Sequence, residues 1–300
     1  MNYTQSKWFK LQIVLQTLIL IVFVLFGFSD NCQILLCGFL LFTIGIPHGS
    51  NDQLYRKDQT LFGMLKFLFY YLGIIFIYIA LWIFFPLLSL LIFFMISFHH
   101  FGQSNFENEN IFYPPSILWG FILLSFPVFI HFEEAMMIFK SMVITGSFKQ
   151  IDNLFFVRLE LFQLFFMLML TIGYLYSIYK YEKKYFIDYF LQITLVSIWY
   201  FITPLLFGFV VVFCLWHSVQ SIRYQNLHYQ IYTKKNNLDF LKSMVPFSLI
   251  ALSTVSLYIN FLTFKIGEAF ILLSLITLPH VIMMNRLYKE KIITSPYLSN

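Results

Sequence analysis

The sequence predicts an all-α, polytopic integral-membrane helical bundle of about ten transmembrane helices, some short or re-entrant, with both termini cytoplasmic. Three observations predict it. Hydrophobic residues make up 60% of the 300-residue chain and charged ones only 11%, against about 45–50% and about 25% in soluble domains. The apolar residues gather into stretches near the roughly 20 needed to cross a bilayer core. The basic residues fall mostly between alternate stretches. A soluble globule of this size could not hide so much apolar surface, so the excess is expected to face lipid. We read residues 1–300 as a single transmembrane domain, multi-pass in the cell membrane.

In chain order the candidate spans are 11–29, 32–47, 66–85, 86–100, 116–132, 154–179, 187–202, 203–220, 243–262 and 268–287. The first is long enough to span, and no small-residue cleavage pattern follows it at "SDNCQ", so a removable signal peptide is not expected. Tracts 66–100 and 187–220 are each too long for one crossing. Each holds a proline near its middle, Pro86 and Pro204, where a helix interior would lose a hydrogen bond and clash. Both are therefore split into hairpins with short turns. With the N-terminus inside, the inner segments carry Lys7, Lys10, Arg56, Lys57, Lys66, Lys180, Lys183, Lys184, Arg223, Lys234, Lys235, Lys242, Arg286, Lys289 and Lys291, fifteen of the 19 basic residues. Outer loops hold Lys140, Lys149 and Lys265, while Arg158 lies in the sixth span. Leaving either tract unsplit would move every later loop to the other side and erase this asymmetry. The three cysteines, Cys32, Cys37 and Cys214, form no C-x-x-C pair and suggest neither a disulfide framework nor a thiolate cage.

Seven histidines are present, and the span assignment used none of them. His48 ends the second span and His100 the fourth, both on the inner side. His217 lies in the inner turn of the eighth span, and His280 in the inner half of the tenth. Four even-numbered helices thus bring an imidazole to a similar depth. Imidazole suits iron, copper, zinc and nickel, and helical bundles build metal sites from side chains on separate helices. An ionisable residue at membrane depth is by default a functional residue. Pro47 shapes the helix exit before His48, and Pro279 frees the Leu275 carbonyl, which Ser274 or Thr277 is positioned by sequence to satisfy. Asp52, one turn beyond His48, and Glu107, after His100, are candidates to accept the second N–H of a metal-bound histidine. His99 points about 100° away from His100, His131 falls on the wrong side, and His228 is in a basic loop. These three are left out of the site.

The segments "PHGSND" (47–52), "HFGQSN" (100–105), "WHS" (216–218) and "PH" (279–280) resemble, in order and approximate spacing along nearly the whole chain, the Brp/Blh family of membrane β-carotene 15,15′-dioxygenases. The resemblance implies an integral-membrane enzyme that uses non-haem Fe(2+) and O2 to cleave β-carotene at its central double bond. The product is two all-trans-retinal molecules, often destined for a microbial rhodopsin. It implies His48, His100 and His217 as iron ligands. The family pattern places a further histidine one turn after the W-H-S histidine, where this chain has Ser221, so the fourth nitrogen comes from His280 or the site differs from that pattern. The implied partners are β-carotene, O2 and the lipid bilayer, with no nucleic acid. A carotene has no polar handle, so an apolar tunnel is expected beside the metal, with Phe98, Phe101 and Trp216 as candidate lining.

Other readings stay open at this level. A di-iron desaturase or hydroxylase normally carries H-x-x-x-H and H-x-x-H-H clusters, and neither occurs here. A b-type haem protein needs only paired axial histidines, and the four histidines form two such pairs. A transporter would favour midplane acids and inverted repeats. A non-catalytic carotenoid-binding protein would keep the tunnel and not need the histidines.

Overall fold

The computed structural model describes residues 3–56, 58–108, 110–143, 160–261 and 266–289. Lys57, Lys149, Arg158, Lys265, Lys291 and the start of the expected sixth span lie outside the described residues. Among those described, every regular element is helical. The helices are α1 (Tyr3–Phe26), α2 (Asp30–Leu40), α3 (Leu61–Phe84), α4 (Pro86–Phe106), α5 (Pro114–Ile130), α6 (Phe132–Met142), α7 (Glu160–Tyr181), α8 (Phe186–Ile202), α9 (Leu205–Val212), α10 (Val219–Thr233), α11 (Asn237–Phe261) and α12 (Ile266–Lys289). Among the described residues, eight helical stretches are long and apolar enough to cross a membrane, and a bent pair makes a ninth if taken as one span.

Both proline-marked tracts break where expected. Pro86 opens α4 after Phe85, whose φ of −138° and ψ of 62° are not helical. Pro204 caps α9 after α8 has ended at Ile202. A proline loses nothing at a helix start, because its missing N–H would be unpaired there anyway.

Three features depart from the expectation. The second span is not a uniform helix: α2 passes into a π turn at Leu41–Gly45 and then 3₁₀ turns at Pro47–Gly49 and Asp52–Tyr55. After α5 the chain bends by 104° at His131 into α6, whose segment "FEEAMMIFKSM" had read as outer loop. Its Ala135, Met136, Ile138 and Met142 are buried while Met137 is exposed, the one-sided burial of an amphipathic helix. Finally, α9, a second π turn at Phe213–Ser218, and α10 run on as one stretch from Leu205 to Thr233. Of the most apolar part of that stretch 72% is buried, against 11–39% for the other spans. It is the most deeply buried of these stretches.

The core is dense and aromatic, with Trp119, Trp199 and Trp216 fully buried. Close approach of α4 and α5 depends on two glycines. A methyl group on Gly102 would overlap the carbonyl of Ser116, and one on Gly120 the carbonyl of Phe98. Because backbone rather than a flexible side chain stands in the way, Gly120→Ala is expected to destabilise the protein by about 1–3 kcal/mol, the usual cost of overpacking. Thermal unfolding in detergent measures it, and an unchanged midpoint would show that the two helices can part freely.

Candidate metal centre

The two π turns each carry a histidine to the same place. In the first, the Ile46 N–H bonds Leu41 O five residues back, at 2.7 Å. The helix axis then ends at Pro47, and the His48 ring folds back so that Nδ1 donates to the Gly45 carbonyl. In the second, the Val219 N–H reaches Cys214 O, again five residues back, and His217 sits inside this widened turn. Single π turns within α-helices are frequent at functional sites. His100 comes from α4 and His280 from α12, immediately after Pro279. Neither Ser274 nor Thr277 takes the Leu275 carbonyl that Pro279 frees: Ser274 donates to Ile271 O and Thr277 to Leu273 O. Ser274 also receives the Trp82 indole N–H at 2.9 Å, which ties α12 to α3.

All four rings are buried and form a closed circuit. Ring centroids are 5.0 Å apart for His48–His217, 4.6 Å for His217–His100, 5.0 Å for His100–His280 and 5.2 Å for His280–His48. Successive rings are inclined by 74–89°. Ligand nitrogens of His48, His100 and His217 lie within 4.8 Å of one another, so these three could hold a metal ion.

The hydrogen bonds sort the nitrogens. His217 Nδ1 is 2.9 Å from Ser104 Oγ, which itself donates to Phe101 O. The hydroxyl proton is thereby committed, Oγ accepts the Nδ1–H, and Nε2 is left as a bare acceptor. His280 Nδ1 donates to Asp52 Oδ1 at 2.8 Å, with the Tyr71 hydroxyl donating to the other carboxylate oxygen. Nε2 of His217, Nε2 of His280 and both nitrogens of His100 are buried without any hydrogen-bond partner. Burying an unpaired polar atom costs about 1–3 kcal/mol, and here several lie within one ring circuit; the nitrogens of His48, His100 and His217 fall within 4.8 Å of one another, and His280 stands outside that group. A divalent cation that prefers imidazole would satisfy them. The donor set, neutral nitrogen without thiolate, fits iron.

From the rings a cavity of about 80 Å³ runs towards the α5–α6 bend, lined by Phe93, Phe94, Phe101, Phe209, Phe213 and further apolar side chains. Of the three aromatics expected to line a tunnel, Phe101 does so and the other two stand elsewhere. Phe98 stacks on Phe121 at 4.2 Å. Trp216 turns to α1, edge-on to Phe9 with its N–H bonded to Gln16. On a helix the residues just before and just after an inward one turn about 100° to opposite sides, as Trp216 and Phe101 do from their ligands, and a residue two positions off, as Phe98 is, points about 200° away.

The expected outer partners are also redistributed. Asp52 serves His280, not His48, because the 3₁₀ turns swing it across to α12. Glu107, in left-handed conformation at the end of α4 (φ 50°), forms a buried ion pair with Arg223 of α10 instead of serving His100. Ser221 accepts from Gln225 Nε2 at 3.1 Å, and that same amide donates to the His48 carbonyl at 2.8 Å. Ser221 thus supports the His48 turn through Gln225. His99 bonds Asn285, His131 bonds the Tyr200 carbonyl, and His228 stacks on Tyr232, all away from the four-ring circuit. Sequence reasoning missed Ser104, although "HFGQSN" places it one turn after His100 and so on the same helix face. The Gly45 carbonyl and Gln225 carried no such signal.

No curated protein and no solved structure matches the chain. Residues 39–288, which include all four histidines and both π turns, match the family model for beta-carotene 15,15'-dioxygenase, and the chain belongs to that family.

Proposed function

We propose that this protein cleaves β-carotene at its central 15,15′ double bond, with O2 as oxidant, to give two all-trans-retinal molecules. His48, His100, His217 and His280 together hold one Fe(2+). The observation that carries this reading is the cluster of buried imidazoles, several with unpaired nitrogens, at the head of an apolar cavity. His280 takes the fourth place, since its ring centroid lies 5.2 Å from that of His48 and 5.0 Å from that of His100 and its Nε2 is unpaired, while Ser221 is engaged with Gln225. Iron held by these residues would supply the site at which O2 is taken up as oxidant.

The chain's own residues do the rest. Gly45, Ser104 and Asp52 hold the Nδ1–H of His48, His217 and His280, fixing the tautomer that leaves each Nε2 as the free acceptor. The apolar walls around Phe94, Phe101, Phe209 and Phe270 bind a hydrocarbon polyene without polar contacts and keep water from the reacting bond. The cavity is small beside the roughly 300–1,000 Å³ of pockets for drug-sized ligands, so a long carotenoid enters by parting α4, α9 and α12, whose side chains line it. Such a substrate already resides in the bilayer, which suits an enzyme built as a membrane bundle. The positive-inside distribution supports a single domain in the cell membrane with both termini cytoplasmic. Retinal released there is available to a microbial rhodopsin.

The ring circuit disfavours haem. Neighbouring rings, with centroids 4.6–5.2 Å apart, stand too close to sandwich a porphyrin between them.

Expression in a host that accumulates β-carotene tests the reading. Retinal should appear at the expense of carotene, and an iron chelator should stop it. Intact carotene beside inserted, iron-loaded protein would refute the substrate assignment, and a Soret band would refute the non-haem site.

A further inference from the structure

Helix α1 lies outside the family match and faces outward along most of its length, with Val14, Leu18, Ile21 and Val22 exposed. One stripe is different. Phe9, Gln12 and Gln16, at helical spacing, are almost fully buried against the π turn that carries His217. Two glutamines in an otherwise apolar span are costly unless bonded; Gln16 Nε2 stays unpaired, and each bond that the two side chains do make falls beside the ligand. Gln12 Nε2 donates to the Leu215 carbonyl at 2.5 Å, and Gln220 Nε2 donates to Gln12 Oε1 at 2.8 Å. The Trp216 indole N–H donates to Gln16 Oε1 at 2.5 Å.

The carbonyl is the informative partner. Where a helix takes five-residue hydrogen-bond steps and then returns to four-residue steps, one carbonyl is left over. The last five-residue step uses Cys214 O, and Leu215 O is the next along. A side-chain amide from α1 occupies it. Were the turn to relax to a regular α-helix, His217 would rotate by about 100° relative to the segment beyond it and leave the ring circuit.

We propose that Gln12 and Gln16 are positioning residues: α1 clamps the π turn in its widened form and so holds His217 Nε2 among the other three rings. The inference rests on the four-histidine metal reading and adds to it a dependence on a helix that touches no ligand.

Metal affinity of the full-length protein in detergent tests it, with Co(II) as an absorbing probe added to metal-free protein. Wild-type protein is measured first. Gln12→Met, similar in shape without hydrogen bonds, should weaken Co(II) binding about 10–100-fold, the usual effect of removing a partner outside the ligand set. Leu18→Ala, on the lipid face of the same helix, should leave affinity unchanged. In the His217→Ala background Gln12→Met should cause no further loss, because the clamp acts through that ring. If wild-type protein binds no Co(II), the metal reading fails and takes the clamp with it. If wild-type protein binds and Gln12→Met binds equally well, the metal reading stands and the clamp is overturned. Should Gln12→Met not insert, Gln220→Met, which removes only the bond orienting the Gln12 amide, decides by the same readout. Weaker binding supports the clamp and unchanged binding ends it.

Discussion

Replacing His100 by leucine is expected to abolish retinal formation while leaving the metal-free protein at least as stable as wild type. The two halves of this expectation have one cause. Both His100 nitrogens are buried without a protein partner, so in the metal-free bundle the ring carries a desolvation cost that nothing offsets. An unsatisfied buried polar group costs about 1–3 kcal/mol, and an apolar replacement of similar size removes that cost. With metal bound the sign reverses, since one ligand of the set is lost. Affinity should then fall by more than the roughly 10–100-fold typical of partners outside the ligand set. The measurement pairs retinal yield in carotene-accumulating cells with thermal unfolding of chelated protein in detergent. Wild-type turnover in the variant would remove His100 from the site. A large loss of metal-free stability would show that the ring packs as a structural residue.

His280 and His217 give a graded contrast. Each has its Nδ1 bonded to a named acceptor, Asp52 and Ser104, so removing either ring strands that acceptor as well. Asp52→Asn keeps the shape around His280 but weakens the hold on its Nδ1–H. It is expected to lower metal affinity about 10–100-fold while preserving some cleavage. Metal titration of the purified variant checks this, and full affinity would mean that the α12 backbone alone orients the ring.

The bundle and the histidine level were legible because both follow from one-dimensional physics. Span length and the bias of lysine and arginine are properties of the chain against a bilayer. Pro86 and Pro204 mark breaks wherever they fall in an apolar tract. Assigning the spans therefore brought His48, His100, His217 and His280 to one depth without reference to tertiary contacts. What could not be read depends on which helix packs where. Asp52 lies 228 residues from His280, and only the 3₁₀ turns after Pro47 carry it there. The two π turns change the register of their helices by one residue, which hydropathy does not resolve. Trp216 precedes its histidine and so turns to α1, whereas Phe101 follows its own and meets the cavity, a difference of side that sequence adjacency alone does not reveal. The α6 bend went unread because a charged start, Glu133 and Glu134, ahead of a short apolar stripe looks the same in a loop as in an amphipathic helix.

The second large effect concerns Glu107, which the sequence placed beside the metal and the structure places in an ion pair. Its carboxylate meets the Arg223 guanidinium with side-chain exposures of 10% and 9%. The pair joins the C-terminal cap of α4 to α10, one helix carrying His100 and the other continuing from His217. Removing one partner of a buried pair leaves an uncompensated charge and costs about 3–5 kcal/mol, whereas replacing both by apolar residues is often neutral. Glu107→Ala is therefore expected to destabilise the protein by about that amount. The double variant Glu107→Leu with Arg223→Leu should recover most of the loss. At temperatures where Glu107→Ala remains folded, its metal affinity should stay near wild type, because no imidazole nitrogen depends on this carboxylate. Unfolding in denaturant gives the first quantity and Co(II) titration the second. A variant with normal stability and weakened metal binding would return Glu107 to the metal site and require α4 to end differently. The opposite result fixes its role as the charge that lets Arg223 be buried between the two helices that hold His100 and His217.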